Sequence, residues 1–120
     1  MKIAFTTSGN DLNAPLDGRF GRAPKFLVYD LDTNSFTLID NQQGLNAARG
    51  AGIQAAQTVA RAGVSCLVTG NCGPKAFQVL SAAGIKIYNT AMPTVAAALE
   101  QYRSGKLTQA VGANVEGHWS

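Results

Sequence analysis

Six consecutive residues, Gly70-Asn71-Cys72-Gly73-Pro74-Lys75, combine the parts of an anion site. They join the apolar run Cys66-Leu67-Val68-Thr69 to a helical pattern beginning at Ala76. A strand, a glycine turn and a helix in that order leave backbone N–H groups facing open space at the positive end of the helix. Pro74 suits the first helical position, where its missing N–H is not needed. Lys75 adds charge, and Cys72 adds a thiol whose pKa a helix N-terminus lowers. The same residues also describe an ordinary strand-to-helix turn in which Gly and Asn supply positive φ. The Gly-Lys-Ser/Thr ending of a nucleotide phosphate loop is absent.

Two further stretches have similar chemistry. Arg19-Phe20-Gly21-Arg22 offers two guanidinium groups, an aromatic wall and close backbone approach, which suits a large polarisable anion. Its plainer reading is a loop that packs Phe20 into the core and leaves the arginines solvated. Arg49-Gly50-Ala51-Gly52 opens a helix with glycines that weaken it, as expected where something must come close to the backbone. Its plainer reading is a flexible helix start.

Catalytic constellations are missing. The single histidine, His118, stands beside Trp119 near the C-terminal end, and Asp11, Asp17, Asp30, Asp32 and Asp40 show no paired-carboxylate spacing. The two cysteines, with Cys66 inside an apparent core strand, are too few for a thiolate cage around zinc or an iron–sulfur cluster. Cys72 alone stays open as a soft metal ligand or as a small residue that fits the turn.

The elements that must position these stretches read in the order β, β, β, α, β, α, β, α. Lys2–Ser8 is a strand followed by a Gly/Pro-bearing loop to Pro24. Phe26–Asp30 and Phe36–Asp40 form a hairpin over the turn residues Asp32-Thr33-Asn34. Ile53, Ala56, Val59, Ala60 and Ala62 recur at helical spacing up to Gly63, Val64–Thr69 is a short buried strand, and Ala76–Ala83 is a helix closed by Gly84. Ile85–Tyr88 is the last strand, and Pro93 opens a helix ending near Gly105. This order predicts an α/β domain over residues 1–107, with a mixed sheet, helices on both faces and a C-terminal tail over 108–120. The first strand should be central, with the hairpin on one side and the later strands on the other. Ligands then belong at the C-terminal edge of the parallel strands, where loops Gly9–Pro24, Gly70–Pro74 and Asn89–Pro93 meet.

The 120 residues are 46% hydrophobic with 13 glycines, ordinary for one globular domain. The net charge of +3 is scattered, with no basic run or aromatic ladder, which argues against nucleic acid. No run is long enough for a membrane span, and the cysteine usage suits the cytoplasm.

Taken together, Leu16-Asp17-Gly18-Arg19-Phe20-Gly21-Arg22-Ala23-Pro24, Arg49-Gly50-Ala51, Gly70 to Phe77, Ala83 to Tyr88, Thr94-Val95 and Tyr102 to Leu107 resemble the dinitrogenase iron–molybdenum cofactor biosynthesis family. The resemblance spans nearly the whole chain and is nearest to the family's orange-protein branch. It implies a ribonuclease H-like fold with a five-stranded mixed sheet. It also implies non-catalytic binding of an anionic metal–sulfur cluster, either a molybdenum–copper sulfide or an iron–molybdenum cofactor precursor. Carried over by position, the binding surface is Arg19, Phe20, Gly21, Arg22, Arg49, Gly50, Gly52, Asn71, Cys72, Gly73, Pro74 and Lys75, with Phe20 and Met92 as apolar cover. Relatives carry a His where Arg49 stands and a His-rich tail. The change to Arg49 implies capture by charge and hydrogen bonds, with no direct metal ligand apart from a potential Cys72 thiolate. The expected protein is a cytoplasmic monomer with no enzymatic activity, which meets protein partners during cluster delivery or signalling. A protein–protein adaptor without a cofactor and a small redox protein using Cys72 are the alternative readings.

Overall fold

The computed structural model describes residues 1–41 and 50–113. Its five strands are β1 (Lys2–Thr7), β2 (Lys25–Asp30), β3 (Ser35–Asp40), β4 (Cys66–Thr69) and β5 (Lys86–Asn89). They form one sheet in the order β3-β2-β1-β4-β5. β1 is buried from Ile3 to Thr7 because it lies at the centre, antiparallel to β2 and parallel to β4. β2 and β3 form the expected hairpin, with Asn34 taking a positive φ of 54° at the turn. β4 and β5 are parallel. The expected centre, hairpin side and parallel side are all found.

Three helices cover the sheet: α1 (Ala51–Arg61), α2 (Pro74–Ala82) and α3 (Val95–Arg103). Strand alternation divides the core into two layers. Ala4, Phe26, Val28, Leu67 and Ile87 face α1 and α2 through Ala55, Ala56, Val59, Ala76 and Leu80. Ile3, Phe5, Leu27, Tyr29, Cys66 and Val68 face α3 through Val95, Ala98 and Leu99. Gly63 and Gly84, expected as helix stops, have φ values of 74° and 77°, the left-handed conformation that ends a helix.

Capping chemistry sets two helix starts, the first of them at the residue expected. α2 begins at Pro74, because proline fits the first turn. α3 begins at Val95 rather than Pro93, because the Thr94 side chain accepts from Ala97 N and caps the helix. After α3 the chain returns to the sheet. Gln109 bridges Tyr88, and Ala110 N donates to Ile87 O at 2.7 Å. The first residues beyond Leu107 therefore cover the β5 edge, while among the described residues no strand pairs with the outer edge of β3.

Candidate functional site

The C-terminal ends of β1, β4 and β5 carry three loops that backbone and side-chain hydrogen bonds tie into one unit. The end of β1 holds the first loop. Thr6 Oγ1 donates to Asp17 O at 2.7 Å, Asp17 N donates to Thr6 O at 2.8 Å, and Thr7 Oγ1 donates to Pro15 O at 2.7 Å. The buried Thr6 and Thr69 hydroxyls are hydrogen-bonded at 2.9 Å, which links the ends of β1 and β4. These threonines satisfy, inside the core, carbonyls that a loop would otherwise leave to water.

The first loop then meets the loop after β4. Asn71 Nδ2 donates to Gly18 O at 2.8 Å, and Phe20 N donates to Asn71 O at 3.2 Å. Gly70 lies against the backbone of Gly18 so closely that an added Cβ would stand 2.7 Å from Gly18 Cα. Only glycine allows that approach. The loop after β5 closes the arrangement. Asn89 Nδ2 donates to Gly70 O at 3.3 Å, Leu16 N donates to Pro93 O at 3.1 Å, and Val95 N donates to Ala14 O at 3.0 Å.

Between these loops opens a cavity of about 500 Å³, lined by Leu16, Gly18, Gly70, Asn71, Asn89, Thr90, Ala91 and Met92. It sits at the edge of the parallel strands expected to hold a ligand. Of the residues expected to bind, Asn71 and Met92 line it. Arg19 is exposed beside Gly18 and forms a parallel bridge with Asn71, while Lys75 is exposed in the first turn of α2. Gly73 caps α2 and is buried, and Pro74 starts that helix on the exposed side. Gly50 is the left-handed residue before α1, with φ 71°, and Gly52 is buried in its first turn. Arg49 lies outside the described residues.

Phe20 corrects its expected role. Phe20–Arg22 form a turn of 3-10 helix in which Phe20 and Gly21 are buried. The Phe20 ring stands 5.7 Å from that of Phe26 inside the core, so it presents no face to a ligand at the rim. Arg22 is half-buried in the same turn. Cys72 corrects its role too. It is 1% exposed within the layer under α1 and α2, and burial pushes its thiol up from 9.0 to about 12. A thiol held protonated and away from solvent is a poor ligand and a poor redox group. Among the described residues no three His, Cys, Asp or Glu side chains converge on a metal site.

The sequence reading missed most of the cavity wall as individual residues: Leu16, Gly18, Asn89, Thr90 and Ala91. The signal was present in the strand order, which already assigned these loops to one edge. It also missed Asn41, whose Nδ2 donates to Gly21 O at 3.2 Å and Ala23 O at 2.8 Å and so holds the Phe20–Arg22 turn.

The profile described as dinitrogenase iron-molybdenum cofactor matches residues 1–105. The chain belongs to this family. Among solved structures, the apo form of the orange protein from Desulfovibrio gigas is 42% identical, with a TM-score of 0.92 over 95% of this chain and 96% of that one. An NMR structure of a Thermotoga protein assigned to the DUF35 family is 31% identical, with a TM-score of 0.83 over 97% and 98% of the two chains. A protein of Methanocaldococcus jannaschii without an assigned function is 29% identical over 110 residues, 89% of each chain. Family membership connects the chain with a metal-cluster cofactor and with a carrier or binding role. The five-stranded mixed sheet and three helices match the orange-protein structure. No helix among the described residues is long and apolar enough to cross a membrane.

Proposed function

We propose that this protein is a non-catalytic carrier of an anionic metal–sulfur cluster, of the molybdenum–copper sulfide type, with an iron–molybdenum cofactor precursor as the alternative cargo. The observation that carries the reading is the cavity of about 500 Å³ among three stapled loops, at the edge where open α/β sheets bind ligands. The 42% identity to the orange protein supports it. In this reading Asn71, Asn89 and Thr90 contact the cluster with polar groups and Met92 and Leu16 cover it. Arg19, Lys75 and Arg49 offset its charge, and the α2 N-terminus adds partial positive charge. The ribonuclease H-like description of the fold belongs to the same proposal, on the sheet order β3-β2-β1-β4-β5 with β2 antiparallel to its neighbours. So does a cytoplasmic, monomeric form that hands its cargo to protein partners.

The test is anaerobic incubation with tetrathiomolybdate and copper, followed by desalting and elemental analysis for Mo, Cu and Fe. Retention of coloured, stoichiometric Mo and Cu is expected. The double variant Arg19→Ala/Lys75→Ala should retain less, and Cys72→Ala should retain as much as the parent. A desalted protein without colour or molybdenum overturns the reading. Loss confined to Cys72→Ala would point to thiolate ligation instead.

A further inference from the structure

β5 is the last strand in the sheet order and is 4 residues long. β4 pairs with one side of it, and the chain that leaves α3 comes back along the other. Leu107 is half-buried in the core layer under α3, which also holds Tyr88 and Tyr102. Ala110 is half-buried in the opposite layer, the one that holds Ile87. Between these anchors Gln109 bridges Tyr88, and Ala110 N donates to Ile87 O at 2.7 Å. The segment crosses the sheet edge from one layer to the other and is fastened in both.

A covered edge by itself only guards a sheet against pairing with other chains. Here the covered strand runs straight into the cavity. Asn89, the last residue of β5, lines the cavity and donates to Gly70 O at 3.3 Å. Thr90 N donates to Thr69 O at 3.0 Å, and Ala91 and Met92 continue the wall. We infer that Leu107–Ala110 is a positioning strap, which holds the Asn89–Met92 wall of the cavity in place through β5. Ile87 O, where the strap is bonded, precedes Asn89 on the same short strand, so lifting the β5 edge carries the wall with it. A short strand with one inner neighbour opens together with the loop that follows it, because few contacts hold either. The strap shifts that opening equilibrium toward the ordered wall by roughly three- to tenfold, the scale of one backbone hydrogen bond. The consequence for a cargo rests on the carrier reading. Only the ordered wall grips it, so a loosened strap hastens release, and by reciprocity a bound cargo tightens the strap.

Ala110→Pro removes the N–H that bonds Ile87 O and keeps the full-length chain. Val111→Pro places the same ring at the fully exposed neighbour and is the control. In the unloaded proteins the Thr90 amide should exchange hydrogen roughly three- to tenfold faster in Ala110→Pro than in the parent. Amides of β1 and β2 should be unchanged, as should the whole of Val111→Pro. A Thr90 amide unmoved in Ala110→Pro, or acceleration spread equally over β1 and β2, overturns the strap as a positioning element. A second arm loads each protein with tetrathiomolybdate and copper and follows the loss of bound molybdenum by dialysis. Release should be severalfold faster from Ala110→Pro with association unchanged, and loading the parent should slow exchange of its Ala110 amide. Faster Thr90 exchange without faster release, or an Ala110 amide indifferent to loading, overturns the link between strap and cargo. If the parent retains no molybdenum, the carrier reading fails, and the exchange of Thr90 alone decides whether the strap holds the wall.

Discussion

At the scale of single residues, the glycine pair that seals the site makes an asymmetric prediction. A methyl on Gly70 would meet Gly18 Cα at 2.7 Å and Gly18 O at 2.9 Å, both backbone atoms that cannot swing aside. A methyl on Gly18 would meet only Asn71 Nδ2 at 3.8 Å, an ordinary contact. Gly70→Ala should therefore destabilise the fold by about 1–3 kcal/mol, as overpacking does. Gly18→Ala should leave the thermal midpoint nearly unchanged, and equal midpoints for the two variants would refute the clasp. The buried thiol of Cys72 makes a second prediction. Its folded pKa of about 12 lies above the ordinary value of 9.0, so the native state holds this proton more tightly than the unfolded chain. The stability it contributes is complete below about pH 9 and is lost as pH rises towards about 12. Tyr102, raised from 10.0 to about 12 first by burial and then by its hydrogen bond with Cys66, acts in the same direction at the upper end. Denaturant midpoints across this window should fall, and Cys72→Ala should flatten the early part of the fall.

At the scale of elements, the cap of α3 and the edge of the sheet matter most. Thr94 Oγ1 accepts from Ala97 N at 3.1 Å, and the adjacent Pro93 O and Val95 N are bonded to the first loop. Thr94→Ala should cost about 1 kcal/mol, the usual worth of a cap, while Thr94→Ser should cost much less. Chemical denaturation of the three proteins side by side is the check. The strands should also differ in local stability. β1 has partners on both sides and is buried over five of its six residues, whereas β3 has one partner among the described residues and is mostly exposed. Hydrogen exchange should release β3 amides before those of β1, since local opening follows burial and pairing. Slower exchange in β3 than in β1 would mean that the outer edge of β3 is covered in solution.

At the scale of the whole molecule, charge acts through its distribution. The net charge is +3, and the longest extent is 35 Å. The Debye length falls from about 30 Å at 0.01 M salt to about 10 Å at 0.1 M, so added salt cuts the field that reaches an approaching anion. Stopped-flow mixing with tetrathiomolybdate should therefore show association slowing severalfold over that range, with dissociation little changed. An association rate indifferent to salt would leave Arg19 and Lys75 without a steering role.

The periodicity of the chain was enough to determine the strands, the helices, their order and the sheet edge at which the loops around the cavity meet. Apolar spacing, turn glycines and crossover handedness are local or nearly local constraints, and they hold wherever the chain sits. Asn71 and Met92, which the sequence placed on those loops, line the cavity. Phe20 and Cys72 stayed open between ligand site and core because residue type does not reveal which way a loop side chain turns. Phe20 turns inward onto Phe26, and Cys72 is enclosed beneath α1 and α2. Gly18 and Gly70, far apart in the chain, become a clasp only when parallel pairing of β1 with β4 brings their loops together. Leu16, Asn89, Thr90 and Ala91 have no unusual chemistry of their own. The tertiary structure alone made them a wall, because a cavity is a property of the distances between loops, and sequence spacing does not encode those distances.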